Sequence, residues 1–291
     1  VSHIRLVSPN GSTSADAEAA RVSRGLADVL DAEKRAVDAW LIDALALRPT
    51  DRVLEVACGT AGCGVAIAEA LAPTGSVLCT DSSPAMVAAA REVVAERHAT
   101  NVALRELDAR ALDLPDRSVD GVVSRLGYMV MADPAQALGE AWRVLRPGRR
   151  LALSVWSERT HNPWRAVPEE VLFGTPATTP PCDERGPGPF ALADLHQLGA
   201  LLRSVGFADV RVAHIRADHR YASGDEYWET CLRKSSSVRR AYEALDAAAR
   251  AAAKREVLDQ LRGRTVGTKG FVVPAEMLVA AARRPGPRRT L

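Results

Sequence analysis

The run Glu55-Val-Ala-Cys-Gly59-Thr-Ala-Gly62-Cys-Gly64 places a carboxylate and three glycines within ten residues. Missing side chains let a backbone turn tightly and approach a ligand, so the run reads as a cradle between a strand and a helix. Turns of this kind serve NAD, FAD and S-adenosylmethionine alike. The dinucleotide form Gly-x-Gly-x-x-Gly needs glycine where Ala57 stands, and when counted from Gly59, Ala61 and Gly64 do not complete it. Asp81 follows Gly59 by 22 residues, where a carboxylate accepts both hydroxyls of a ribose, a device that NAD sites share. Asp108-Ala109 is positioned to accept from an exocyclic amine, and Met86 to pack on a purine face.

These residues need a scaffold, and the chain is long enough to provide one. Its 291 residues, 47% hydrophobic and 25% charged, suit one large globular domain. A formal net charge of +2 from 38 basic and 36 acidic side chains sets up no strong field for a polyanion, so nucleic acid is not expected as a partner. Cys58, Cys63, Cys79, Cys182 and Cys231 are odd in number and scattered, which argues against a disulfide framework and for a reducing cytoplasm. Cys58 and Cys63 have no second pair at metal-ligand spacing, so no metal site is expected. No apolar run reaches the length of a membrane span, and the first residues lack the pattern of a signal peptide.

Short β-branched runs alternate with Ala-rich amphipathic ones over the middle of the chain, the pattern of consecutive βα units. Residues 1–20 are expected to be a mobile arm and 21–284 one α/β domain, with a core over about 48–157, cap elements at 21–47, 158–191 and 222–265, and a basic tail at 285–291. The first helix carries Leu26, Val29, Leu30, Val37, Leu41 and Leu45 on one face, with Asp28, Glu33, Lys34 and Asp38 on the other. Strands are expected at 52–57, 77–80, 102–107, 119–124, 151–156, 209–215 and 271–281. Ser83-Pro84 and Asp133-Pro134 each pair an N-cap with a proline at the first helical position. The Pro-rich stretch 158–191 reads as loop, the segment 225–262 as helical, and RRPGPRRTL at the end as a solvated tail.

Five motifs then occur in order: Val53-Leu-Glu-Val-Ala-Cys-Gly-Thr60, Thr80-Asp-Ser-Ser-Pro-Ala-Met86, Leu107-Asp-Ala109 with Asp113-Leu-Pro115, Val119-Asp-Gly-Val-Val-Ser-Arg125, and Arg143-Val-Leu-Arg-Pro-Gly148. Together they resemble the class I S-adenosylmethionine-dependent methyltransferases, in the branch related to the ubiquinone and menaquinone C-methyltransferases. Pro187-Gly-Pro-Phe190 and Ser204-Val-Gly-Phe207 extend the resemblance. It implies a Rossmann-like, doubly wound sheet of seven strands, the last antiparallel, with helical cap insertions. It also implies roles for particular residues. Glu55 would orient the loop and reach the methionine ammonium, directly or through water, while Ala57 and Gly59 would let the backbone approach the methionine portion. Asp81 would hold the ribose, Ser82 and Met86 would flank the adenine, and Asp108 with Ala109 would read its amine. Ser124, Arg125 and Leu126 would lie near the sulfonium and the acceptor. Two positions depart from the pattern: Ala61 and Arg149 stand where glycines are common.

Methyl transfer from a sulfonium is an in-line displacement whose main demand is alignment in a dry pocket, and a base is optional. Tyr128 and His161 leave strand ends that face the cofactor and are the candidate bases; His214, His219 and Tyr221 follow. Trp164, Phe173, Phe190, Tyr227 and Trp228 would line a cap over a small, hydrophobic or aromatic acceptor such as those of natural-product biosynthesis. S-adenosylhomocysteine would be the second product, and the protein a monomer or homodimer. An NAD(P)-dependent oxidoreductase, or a methyltransferase fold turned to another reaction or to binding alone, are the competing readings.

Overall fold

The computed structural model of the protein describes residues 14–174, 186–263 and 270–286. Cys182, the start of the expected arm and residues 287–291 of the expected tail lie outside them. The chain opens with α1 (Ser14–Gly25) and α2 (Ala27–Leu45), then β1 (Arg52–Val56), α3 (Gly62–Leu71), β2 (Ser76–Asp81), α4 (Pro84–Glu96) and β3 (Val102–Glu106). It continues through β4 (Val119–Arg125), α5 (Pro134–Val144), β5 (Leu145–Trp156), α6 (Pro163–Phe173), α7 (Leu195–Ser204), β6 (Ala208–Arg216) and β7 (His219–Tyr221). The last elements are α8 (Gly224–Lys234), α9 (Ser236–Glu243), α10 (Ala247–Arg262), β8 (Phe271–Val273) and β9 (Glu276–Arg283).

Seven strands form one sheet in the order β3-β2-β1-β4-β5-β9-β6. The first five run parallel, and β9 is antiparallel to both β5 and β6. This is the doubly wound sheet expected, with its last strand reversed. The chain winds outward from β1 to β3 and returns to lay β4 on the other side of β1, so the strand order switches between β1 and β4. Open α/β sheets bind ligands in the crevice beyond such a switch. Both faces of the central strands are covered, which is why β4 is buried from Val119 to Ser124 and β5 from Leu151 to Trp156. Ser83 and Asp133 cap α4 and α5 by accepting from the amides of Met86 and Gln136, each with proline in the first turn.

Four expectations are corrected. Residues 14–20 belong to a helix rather than an arm. The expected strand 271–281 is two strands, because Pro274 lacks the N–H that a continuous ladder needs. Its first part pairs with β7 in a separate ribbon and its second enters the main sheet. Within 158–191, Pro163–Phe173 is helical despite Pro168 in its interior. That proline leaves the Trp164 carbonyl without its helical partner, and the Tyr227 hydroxyl donates to it instead, at 2.8 Å. Last, Arg284 is not solvated. Arg283 ends β9 and pairs with Asp209, while the buried Arg284 donates to the carbonyls of Trp142, Arg143 and Leu145 and lies over the Trp142 ring, 3.8 Å from its centroid. No helix among the described residues is long and apolar enough to cross a membrane.

Arg284 thus satisfies the carbonyl end of α5, where a cation also meets the negative pole of the helix. Methionine at this position keeps most of the stem but none of the donors, so urea denaturation of the Arg284→Met protein should show a stability loss of about 2–3 kcal/mol.

Candidate active site

The turn after β1 holds three residues in left-handed backbone conformation: Ala57 at φ 53°, Gly59 at 55° and Ala61 at 61°. Only the middle one is glycine, so the two alanines are strained and must be held from outside. Asp81, at the end of β2, does much of the holding. One of its carboxylate oxygens accepts from the Gly59 amide and the other from the Ser83 amide, each at 3.0 Å, while the Cys58 amide donates to the Thr80 carbonyl at 2.9 Å. Burial raises the Asp81 carboxyl above its ordinary value, against the pull of these amides. The other two glycines admit protein rather than ligand. A Cβ on Gly62 would lie 2.1 Å from an Asp31 oxygen, and one on Gly64 would lie 2.4 Å from Glu55 Oε2 and 2.3 Å from Cys79 Sγ.

Beside this turn lies a cavity of about 440 Å³ whose walls include Ala57, Asp81, Ser82, Met86, Asp108, Ala109, Gly127 and Val130. Six of the expected cofactor contacts therefore converge from the ends of β1, β2 and β3. Asp108 shares its carboxylate with Arg110, 2.7 Å away, which holds it below the usual range. Among the cavity's lining residues Glu55, Gly59, Ser124, Arg125 and Leu126 do not appear. Glu55 is buried behind the turn, its Oε2 without a hydrogen-bond partner, and burial pushes its carboxyl up to about 7 against the opposing pull of Arg125. Ser124 is fully buried, its hydroxyl likewise without a hydrogen-bond partner. Arg125 turns toward α2, where it pairs with Asp31 at 2.9 Å and Asp38 at 2.6 Å.

A second cavity of similar volume shares the wall residue Val130 with the first. Its walls include Val22, Ser23, Leu26, Leu30, Glu33 and Lys34 from the first two helices and their junction, Leu126, Met129 and Val130 after β4, Trp156 at the end of β5, Trp164 and Arg165 at the start of α6, and His219 and Lys234. Leu126, the wall residue nearest β4, is itself at φ 65°, a conformation uncommon for a bulky side chain. Gly127 beside it cannot carry a side chain, since a Cβ would come within 2.7 Å of both Ser124 Oγ and the Ala57 Cβ. His219 is 1% exposed, packs against Trp156 and Trp164 at centroid distances of 5.9 and 5.0 Å, and has no hydrogen-bond partner at either ring nitrogen. Burial, with Lys234 and Lys34 nearby, drives its pKa well below the ordinary value and keeps it neutral. Lys34 donates to the Leu30 carbonyl at 3.1 Å, and burial brings it down to about 7. Glu33 is held by Lys234 at 2.7 Å.

Neither expected base lines either cavity. The Tyr128 ring is wholly buried in the core, and the loss of solvent raises its phenol far above the ordinary value. His161 lies on the surface beside Glu276, 3.0 Å away. Of the expected cap aromatics, Trp164 lines the second cavity, Phe190 packs on the main core, and Tyr227 and Trp228 belong to a separate apolar cluster with Val167, Leu261 and Phe271. Reading α2 as an amphipathic helix missed Lys34 and Asp38, both assigned to the polar face and both buried. The signal was present: Asp31, Lys34 and Asp38 recur at 3- and 4-residue intervals and make one charged stripe.

Residues 53–148 match the family model of the methyltransferase domain. An uncharacterized 37.1 kDa protein in transposon TN4556 of Streptomyces fradiae is 40% identical over 119 residues, 41% of this chain and 34% of that protein. The demethylmenaquinone methyltransferase of Listeria monocytogenes serotype 4a is 38% identical over 115 residues, 40% of this chain and 48% of the enzyme. The chain thus spans a third to a half of the length of these relatives. The fold is shared with the YcgJ protein of Bacillus subtilis, at a TM-score of 0.58 and 16% identity over 87% of this chain and all of that one. With the turn after β1, Asp81 and Asp108 gathered at the strand-order switch, residues 53–148 carry a methyltransferase domain similar in sequence to the demethylmenaquinone methyltransferases.

Proposed function

We propose that the protein transfers a methyl group from S-adenosylmethionine, bound in the first cavity, to a small and largely apolar or aromatic metabolite bound in the second. The observation that carries this reading is a pair of cavities that share the wall residue Val130, one walled by Ala57 of the Gly-rich turn with Asp81 and Asp108, the other by Leu126, Met129, Trp156 and Trp164. The donor groups suit the cofactor. Each Asp81 oxygen binds one backbone amide and keeps lone-pair capacity for a ribose hydroxyl. Asp108, with Ala109, accepts from the adenine amine while Ser82 and Met86 flank the ring. Glu55, buried behind the turn, is the carboxylate this reading assigns to the methionine ammonium, reached directly or through water. Ala57 and Gly59 offer backbone at the methionine portion.

Bound there, S-adenosylmethionine supplies a methyl carbon activated by its positive sulfur. The chain's residues align and desolvate. Leu126, held in its strained conformation, and Ser124 behind it shape the passage between the cavities. Arg125 acts at one remove, positioning α2 through Asp31 and Asp38 rather than touching the reactants. With Tyr128 in the core and His161 on the surface, His219 is the imidazole of the acceptor cavity among the described residues. An acceptor hydroxyl or amine would satisfy its unpartnered nitrogens. The likeness to demethylmenaquinone methyltransferase supports an aromatic acceptor.

Calorimetric titration tests the cofactor assignment. S-adenosylmethionine and S-adenosylhomocysteine should bind and NADH should not; NADH binding alone would favour an oxidoreductase. The Asp81→Ala protein, shown folded by circular dichroism, should bind S-adenosylhomocysteine at least about tenfold more weakly. Unchanged affinity would refute the ribose assignment.

Glu55 adds a pH signature. Its carboxyl is half ionised near 7 in the free protein, and only the ionised form pairs with an ammonium. Binding must then release a proton below that pH, so affinity should hold above about 7.5 and fall by up to about tenfold per unit as pH drops below 7. Titrations from pH 5.5 to 8.5 should show this slope in the wild type and a flat profile in Glu55→Gln; equal slopes in both would exclude Glu55 as its source.

A further inference from the structure

We propose that His161, His214 and Glu276 form a binding site for a divalent transition-metal ion of the zinc class. Neither cavity includes these residues, which stand apart from the proposed methyl-transfer site. His161 closes the short 3₁₀ turn 159–161 after β5, His214 lies in β6 opposite Leu278 of β9, and Glu276 is the first residue of β9. Both imidazoles turn the same atom to the same oxygen: Nδ1 of His161 lies 3.0 Å from Glu276 Oε1 and Nδ1 of His214 lies 2.8 Å from it. One potential ligand atom from each residue lies within 4.8 Å of the other two.

Two imidazole nitrogens and a carboxylate oxygen are the ligand types that zinc takes, at about 2.0–2.2 Å each. Ligand atoms around such an ion stand about 3–3.5 Å apart, so entry asks for displacements of an ångström or less. The proton on each Nδ1 would move to Nε2, leaving the Nδ1 lone pair for the metal. The imidazoles are 49% and 46% exposed, which leaves room for solvent or another ligand to complete the coordination.

The supporting groups are already in place, as metal sites require. The Ser157 hydroxyl donates to Glu276 Oε1 at 3.0 Å. The fully buried Asn162 accepts from the Glu276 amide and donates to its carbonyl, both at 3.0 Å, and so clamps the backbone that presents the carboxylate. The same Asn162 accepts from the Trp164 indole at 3.0 Å. A bound ion would therefore fasten the root of the α6 wall of the second cavity to β6 and β9. The ligands escape notice in the sequence because 62 residues separate His214 from Glu276, and His161 stands farther off still.

The test uses the full chain carrying Cys182→Ser, stripped with a chelator and titrated with zinc against a chromophoric competitor at pH 7.5. One ion per chain should bind with micromolar or tighter affinity. His214→Gln and Glu276→Gln should each weaken it at least tenfold, whereas His98→Gln and His196→Gln, at exposed histidines elsewhere, should leave it unchanged. Cobalt in place of zinc should give visible d–d absorption that the His161→Gln/His214→Gln protein lacks. Absence of saturable zinc uptake, or equal uptake by that double variant, would overturn the proposal; circular dichroism of each variant separates a lost ligand from a lost fold.

Discussion

The Arg125 guanidinium, at the end of β4, lies buried between Asp31 and Asp38 of α2. Charges removed from water are tolerable only when paired, as both carboxylates are with this guanidinium, and removing one partner of such a group typically costs about 3–5 kcal/mol. The cluster fixes more than the position of a helix. Asp31 fills the space above Gly62 at the start of α3, so the charge that holds α2 also packs against the turn. Continuing along α2, Leu30, Glu33 and Lys34 form a wall of the second cavity. Beyond Arg125, the strand runs into Leu126 and Gly127, between the two cavities. One buried cation thereby registers the glycine turn, a wall of the second cavity and the Leu126–Gly127 stretch between them.

The same cluster sets the local electrostatics. Arg125 opposes the burial that raises Glu55 and Asp38, while its positive charge joins burial in bringing Lys34 down. Glu55 and Lys34 are thus both brought to about 7. Backbone strain gathers in the same place. Ala57, Ala61 and Leu126 hold positive φ at roughly 1–2 kcal/mol each, a burden that persists only where surrounding contacts over-determine the conformation. Asp81 supplies those contacts for the turn and the Leu126 amide, donating to the Ser154 carbonyl at 2.9 Å, supplies one for the wall.

What the sequence revealed about this protein was local. The glycine turn, the aspartates at strand ends, the Ser-Pro and Asp-Pro caps and the alternation of strand and helix all express themselves within a dozen residues, and the sheet follows from them. What escaped depends on partners far along the chain. The amphipathic reading put Asp38 in solvent, because nothing near it names its partner Arg125 almost ninety residues away. Arg284 looked like part of a basic tail, since the carbonyls it satisfies belong to a helix more than a hundred residues earlier. Pro168 argued against a helix that survives because Tyr227 answers the carbonyl left open.

This division also separates the two cavities. The first is walled chiefly by consecutive strand ends between Ala57 and Ala132, with Asp16 and Ala19 of α1 adding one edge. Its chemistry is therefore written almost entirely within the methyltransferase domain. The second draws on residues 22–34, 126–130, 156–165, 219 and 234, and much of it comes from outside that domain. A donor common to many enzymes needs a conserved geometry at the strand ends, whereas an acceptor needs only a wall that can be rebuilt around the fixed point where the methyl emerges. On the proposed assignment of the second cavity to the acceptor, selectivity would reside in Trp164, His219, Lys34 and their neighbours rather than in the motifs at the strand ends.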